Sequence, residues 1–178
     1  MAADLNLLDP ALKEAMTKVL GHCREEGVNM RPNEGLRDPF EQAKLWRQSR
    51  STEAVHAKIA EFERQGANFL AECLKKVGPR HGRHVTNAPP GFSWHQWGQA
   101  LDCFWLVDGE AEWSSSKLIN GKNGYQIYAA AARELGLFPG GYWENFKDWP
   151  HVQLKKDSSP NSDKSVIEID EAMRRRYG

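Results

Sequence analysis

An apolar segment with a single acidic side chain limits most strongly what this chain can fold into. In an extended chain, successive side chains of residues 99–107 would point to opposite faces, and the side chains on both faces are mostly apolar. This pattern predicts a largely buried β-strand. Asp102 lies inside this strand, where an unpaired carboxylate would be costly to bury. Either a bound metal ion or a salt bridge to an arginine would offset that cost, and the segment alone favours neither.

Helical patterns fill most of the chain before this strand. Asp9-Pro10 and Asp38-Pro39 are typical helix starts, because aspartate caps a helix and proline suits its first turn. A short extended piece is expected near residues 28–30. Apolar side chains recur at helical spacing in four segments, at residues 10–23, 39–46, 52–62 and 69–77.

The remaining signals mix strands with helices. Asp108-Gly109 predicts a hairpin turn, and residues 151–154 alternate as a short strand. Helices are expected at residues 125–135 and 166–177. Helices first and antiparallel strands later predict an α+β single domain, with helices packed on a small antiparallel sheet.

Length and composition narrow the class further. With 178 residues, 40% of them hydrophobic, the chain suits one domain with a packed core. We expect that domain to span residues 1–155, and residues 156–178 to form a linker and C-terminal tail with a short helix. A formal net charge of zero and the absence of a long apolar run favour neither nucleic acid nor membrane insertion.

The cysteines and the N-terminus indicate where the protein is made. Cys23, Cys73 and Cys103 are odd in number and lie in apolar patterns, which favours buried free thiols and a reducing compartment. The first residues lack the basic start and apolar stretch of a signal peptide. We therefore expect synthesis in the cytosol.

Asp102 is a candidate metal ligand because the sequence also offers two histidines and a second carboxylate. His95 precedes it by seven residues, and His151 opens the predicted short strand. A single histidine in a strand is usually structural, but two imidazoles and one carboxylate together are typical of catalytic zinc. Asp148 lies three residues before His151 and would supply the carboxylate that deprotonates a metal-bound water. This set predicts a hydrolase with one zinc ion.

Three motifs resemble a known family. Gly35-Leu36-Arg37 with Gln42 is similar to that family's upstream arginine motif, and the similarity runs from about Glu34 to Leu154. The family is that of zinc D-Ala-D-Ala carboxypeptidases and L-alanyl-D-glutamate endopeptidases, which includes phage endolysins and shares its fold with the Hedgehog signalling domain. The other two motifs are Ser93-x-His95-x-x-Gly98-x-Ala100-x-Asp102 and Asp148-x-Pro150-His151.

The resemblance assigns roles to individual residues. It implies zinc on His95, Asp102 and His151, with Asp148 as the catalytic carboxylate. It implies that Arg37 binds substrate or stabilises the oxyanion, a role its permanent charge and planar guanidinium suit. By the same resemblance, Gln42 and Ser93 are expected to bind substrate. Tyr142 stands where relatives often carry an acidic residue, so no accessory ion site is carried over from the family to this chain.

The resemblance also narrows the activity. We expect a monomeric L-alanyl-D-glutamate endopeptidase of the endolysin type, of phage or prophage origin, that reaches the stem peptide of the cell wall after release from the cytosol. The alternatives are a D-alanyl-D-alanine carboxypeptidase or dipeptidase and, from another class, a non-catalytic zinc-stabilised binding domain. Asp148 argues against the binding domain, because binding needs the zinc but not the base.

Overall fold

The computed structural model describes residues 3–178. Contacts group the chain into two compact units. The first contains the chain through Leu36 together with Trp97–Lys156, and the second contains Arg37–Gln96 together with Asp157–Gly178. Both units are built from the element types that the sequence predicts, and the fold class is α+β.

The first unit carries an antiparallel sheet and two helices. The helices are α1 (Pro10–Glu25) and α5 (Gly124–Glu134), and the strands are β1 (Asn29–Glu34), β2 (Ala100–Val107), β3 (Glu110–Glu112), β4 (Phe138–Pro139) and β5 (His151–Gln153). Four strands lie in the order β1-β2-β5-β4, and β3 pairs with the C-terminal end of β2 as the predicted hairpin.

The register of this sheet places the acidic residue of the central strand. β2 pairs with β1 on one side and with β5 on the other. Asp102 therefore lies between Glu34 and His151, its partners in the two neighbouring strands. Two residues 49 positions apart in sequence become cross-strand neighbours through this register.

The core of the first unit confirms the predicted apolar patterns. The buried stripe of α1 includes Leu12, Met16 and Cys23, and it joins Leu101 of β2 and Tyr128 of α5 in one cluster. The cysteines are buried free thiols, as predicted. Burial raises the pKa of Cys23 and Cys73 to about 12, so both stay protonated at neutral pH.

The second unit is helical. It contains α2 (Pro39–Arg47), α3 (Thr52–Arg64), α4 (Asn68–Lys76) and α6 (Val166–Tyr177). Asp38 caps α2 as predicted, and its carboxylate accepts hydrogen bonds from the backbone of Phe40 and Glu41. Residues 157–178 hold a 3-10 turn (Pro160–Ser162) and α6, and α6 packs against α4.

Helix α4 takes its cap from a distant residue. Ala67, at its N-cap position, offers no side-chain hydrogen bond. The buried carboxylate of Asp170 in α6 instead accepts the backbone N–H of Leu70 at 2.9 Å. This bond satisfies a donor of the first helical turn and ties α6 to α4.

No helix among residues 3–178 is both long and apolar enough to cross a lipid bilayer. Helices α1, α4 and α5 each bury several apolar residues within the protein.

Replacing Asp170 by alanine should destabilise the protein by about 1–3 kcal/mol, because a buried N–H at the start of α4 loses its acceptor. Urea unfolding measures this change. Asp163→Ala is the matched control, since Asp163 is exposed and its carboxylate pairs with the adjacent Lys164. Equal stability of the two variants would contradict the capping role.

Candidate metal centre

The carboxylate in the central strand meets an imidazole. The Oδ1 atom of Asp102 lies 2.9 Å from the Nδ1 atom of His151. His151 is buried, with 7% of its surface exposed, and Asp102 is partly buried. The partner that the buried carboxylate requires is therefore a histidine that can itself ligate a metal.

The second nitrogen of His151 is also engaged. Its Nε2 atom lies 3.0 Å from Oε1 of Gln153, which is two residues along the same strand and on the same face. The ring of Trp143 packs against the imidazole, with 5.2 Å between ring centroids. The ring of His151 is thus held at both nitrogens and on one face.

Charge around His151 changes its affinity for a proton. Burial lowers its pKa, but the hydrogen bond and negative charge of Asp102 and the charge of Asp148 outweigh burial, and the net pKa is raised. A region of negative potential around a buried imidazole favours a bound cation, whether a proton or a metal ion.

His95 comes from a helical turn immediately before the central strand. The 3-10 turn Trp94–Trp97 carries it, and only 3% of its surface is exposed. Its backbone carbonyl accepts the N–H of Arg37 at 3.2 Å. The hydroxyl of Ser93 lies 3.4 Å from its backbone nitrogen and can accept that N–H. These contacts fix the turn through its backbone.

His95, Asp102 and His151 form a cluster of ligand atoms. One ligand atom from each residue lies within 4.8 Å of the other two. Ligands at about 2.0–2.1 Å from a tetrahedral zinc would be roughly 3.3 Å apart, so the cluster closes on an ion with shifts on the order of 1 Å. Two imidazoles and a carboxylate suit zinc, and the structure brings together the three residues that the sequence selects.

Asp148 is held beside the cluster by a glycine turn. Its backbone N–H donates to the carbonyl of Gly140 at 3.0 Å, and its own carbonyl accepts the N–H of His151. A Cβ atom on Gly140 would lie 2.4 Å from the carbonyl oxygen of Asp148, so only glycine permits this approach. A Cβ atom on Gly141 would likewise lie 2.4 Å from the ring of Trp149.

Gln42 supports Arg37 from below the surface. Its Oε1 atom accepts hydrogen bonds from Arg37 Nη1 at 2.7 Å and from Gln96 Nε2 at 3.0 Å, and its Nε2 atom donates to the carbonyl of Ala88. Gln42 is fully buried and Arg37 is partly buried. The amide predicted to bind substrate therefore contacts Arg37 and the turn that carries His95.

The C-terminal helix contacts the same turn, which the sequence patterns do not indicate. The hydroxyl of Tyr177 donates to the backbone carbonyl of Gln96 at 3.0 Å. Further along, the indole N–H of Trp94 donates to the carbonyl of Asp157 at 2.7 Å. Residues 157–178 thus help to fix the segment that holds His95.

Two further histidines and two tryptophans lie in other environments. His81 and His84 are exposed in the loop of residues 78–91, and His84 lies 3.0 Å from the side-chain oxygen of Asn87. Trp94 is buried, whereas Trp143 is partly exposed beside His151. Trp143 contacts the candidate ligand His151.

Three comparisons show which known proteins this chain is similar to. Residues 5–138, which include Arg37, His95 and Asp102, match the VanY family model, described as D-alanyl-D-alanine carboxypeptidase. Over 150 residues the chain is 26% identical to the peptidoglycan L-alanyl-D-glutamate endopeptidase CwlK of Bacillus subtilis, covering 83% of this chain and 73% of that protein. The crystal structure of the L-Ala D-Glu endopeptidase ChiX of Serratia marcescens aligns with a TM-score of 0.45 and 23% identity, covering 85% and 83% of the two chains.

Gly140→Ala should destabilise the protein by about 1–3 kcal/mol, because the new methyl group meets the backbone of Asp148. Gly21→Ala is the control: nothing lies within 4 Å of its Cβ position in helix α1, where alanine is favoured by up to about 1 kcal/mol. Urea unfolding compares the two. A Gly140→Ala protein as stable as wild type would show that the turn tolerates a side chain and does not fix Asp148.

Proposed function

The chain belongs to the VanY D-alanyl-D-alanine carboxypeptidase family, and from this premise we propose that it is a zinc-dependent endopeptidase that cleaves the L-alanyl-D-glutamate bond of the peptidoglycan stem peptide. Membership of this family makes it a peptidase. The proposal of a zinc-dependent reaction rests on the cluster of His95, Asp102 and His151 with Asp148 beside it. The named activity of CwlK supports the choice of bond.

The proposed zinc ligands fit the ion by their chemistry. His95, Asp102 and His151 would supply two neutral nitrogens and one anionic oxygen, which leaves a position open for water or substrate. A zinc ion held there would supply Lewis acidity, which lowers the pKa of water toward about 7. The thiols of Cys23 and Cys73 do not compete as ligands, because burial keeps them protonated.

Asp148 moves the proton in the proposed reaction. Its carboxylate takes a proton from the attacking water as the oxygen bonds to the scissile carbonyl carbon, and it returns a proton to the leaving amine as the C–N bond breaks. Its charge already acts on His151 in the structure, which supports a location within reach of the same reaction centre. The Gly140 turn holds its backbone and thereby limits its movement.

Arg37 orients the substrate in this proposal. Its guanidinium carries a permanent charge and directs several N–H groups, which suits a developing oxyanion or a substrate carboxylate. Gln42 acts through Arg37, since its buried oxygen holds the Nη1 atom. Ser93 is half-buried beside His95 and is proposed to contact substrate from there.

The site of action follows from the substrate. Stem peptides lie in the cell wall, so we place the enzyme there after its release from the cytosol, as for an endolysin. Three buried free thiols suit synthesis in a reducing compartment. The second candidate activity is the removal of terminal D-alanine, which the description of the matching family favours.

Asp148→Asn should keep wild-type zinc content while turnover falls about 10²-fold or more, because the proton acceptor is lost but no ligand is. His95→Ala is the paired variant, and it should lose both zinc and activity. Elemental analysis of the purified proteins and hydrolysis of a stem peptide provide the two measurements. Near-normal turnover by Asp148→Asn would assign the base to another residue.

The cleavage products identify the substrate bond. Digestion of purified peptidoglycan should create new D-glutamate amino termini without free D-alanine, as detected by mass spectrometry. A His95→Ala sample, which should lose both zinc and activity, controls for contaminating hydrolases. Release of D-alanine from a pentapeptide that ends in D-Ala-D-Ala, with no new D-glutamate termini, would establish the carboxypeptidase instead.

A further inference from the structure

We propose that Gln153 is a positioning residue that fixes the tautomer of His151, so that Nδ1 and not Nε2 is the nitrogen presented to the metal. The inference rests on the proposed zinc site and adds a residue to it. Gln153 lies in β5 with 1% of its surface exposed, and it touches His151 through its side-chain oxygen.

The orientation of the Gln153 amide is the first step. Its Nε2 atom donates to the backbone carbonyl of Lys155, with 2.5 Å between nitrogen and oxygen. Rotating the amide by half a turn would place its oxygen against that carbonyl oxygen, and two acceptors at this distance repel each other. The oxygen Oε1 must therefore face His151.

The tautomer of His151 follows from that orientation. Oε1 of Gln153 is only an acceptor, so the Nε2 atom 3.0 Å away must carry the hydrogen. In the neutral ring Nδ1 then bears the lone pair, and it points at Oδ1 of Asp102 across 2.9 Å. A lone pair and a carboxylate oxygen this close require a cation at that position, either a proton on the ring or a metal ion shared by both atoms.

The strand makes this arrangement rigid. Gln153 pairs with Ala100 of β2 on one side and with Phe138 of β4 on the other. His151 and Gln153 therefore share one face of a strand that is bonded along both edges. Because ligating histidines are oriented by the acceptor at their other nitrogen, this pair has the form of a metal ligand with its support.

Two variants separate this role from simple packing. Gln153→Leu fills a similar volume but removes the acceptor, and zinc affinity should fall about 10–100-fold. Gln153→Glu keeps an acceptor oxygen toward His151 but loses the donor to the carbonyl of Lys155, so its zinc affinity should lie between those of Gln153→Leu and the wild type. Gln99→Leu is the matched control, because that half-buried amide contacts Asp9 and should leave zinc affinity unchanged.

The experiment measures zinc affinity by competition with a chelator, together with the ¹⁵N NMR spectrum of His151 in the zinc-loaded wild-type protein. We expect a protonated Nε2 and a ligated Nδ1. A protonated Nδ1, or a Gln153→Leu variant with wild-type affinity, would overturn the inference while leaving the proposed function in place. Wild-type protein that binds no zinc would overturn both.

Discussion

The pairing of Asp102 with His151 is the interaction on which the rest of the site depends. The apolar sequence of β2 forces a carboxylate into a half-buried position, and the β2–β5 register supplies an imidazole across from it. Burial and charge act in opposite directions on His151, and charge prevails. A one-residue slip of this register would send the two side chains to opposite faces of the sheet.

Much of the surrounding sequence keeps these groups in place. The Gly140 turn holds the backbone of Asp148, and the amide of Gln153 holds the Nε2 side of the His151 imidazole. In the second unit, Gln42 links Arg37 to the turn that carries His95. Each of these polar groups is buried or half-buried with a defined partner, which is how a preorganised site avoids the cost of unpaired polar atoms.

Local patterns predicted the helices and strands well, but contacts between distant residues could not be predicted from them. The α1 stripe and the β2 alternation depend on neighbouring residues, and the family motifs assigned His95, Asp102 and His151, which the structure brings together. The Asp170 cap on α4 and the Tyr177 contact with Gln96 join residues 100 and 81 positions apart. Periodicity carries no information about such pairs.

X-ray absorption at the zinc edge of the zinc-loaded protein tests the central claim most directly, because it reports the atoms bound to the ion without mutation. The proposed ligand set predicts about two imidazole nitrogens and one or two oxygens at roughly 2.0–2.2 Å from the zinc. A sulfur ligand near 2.3 Å, or a shell without imidazole scattering, would contradict the assignment of His95, Asp102 and His151.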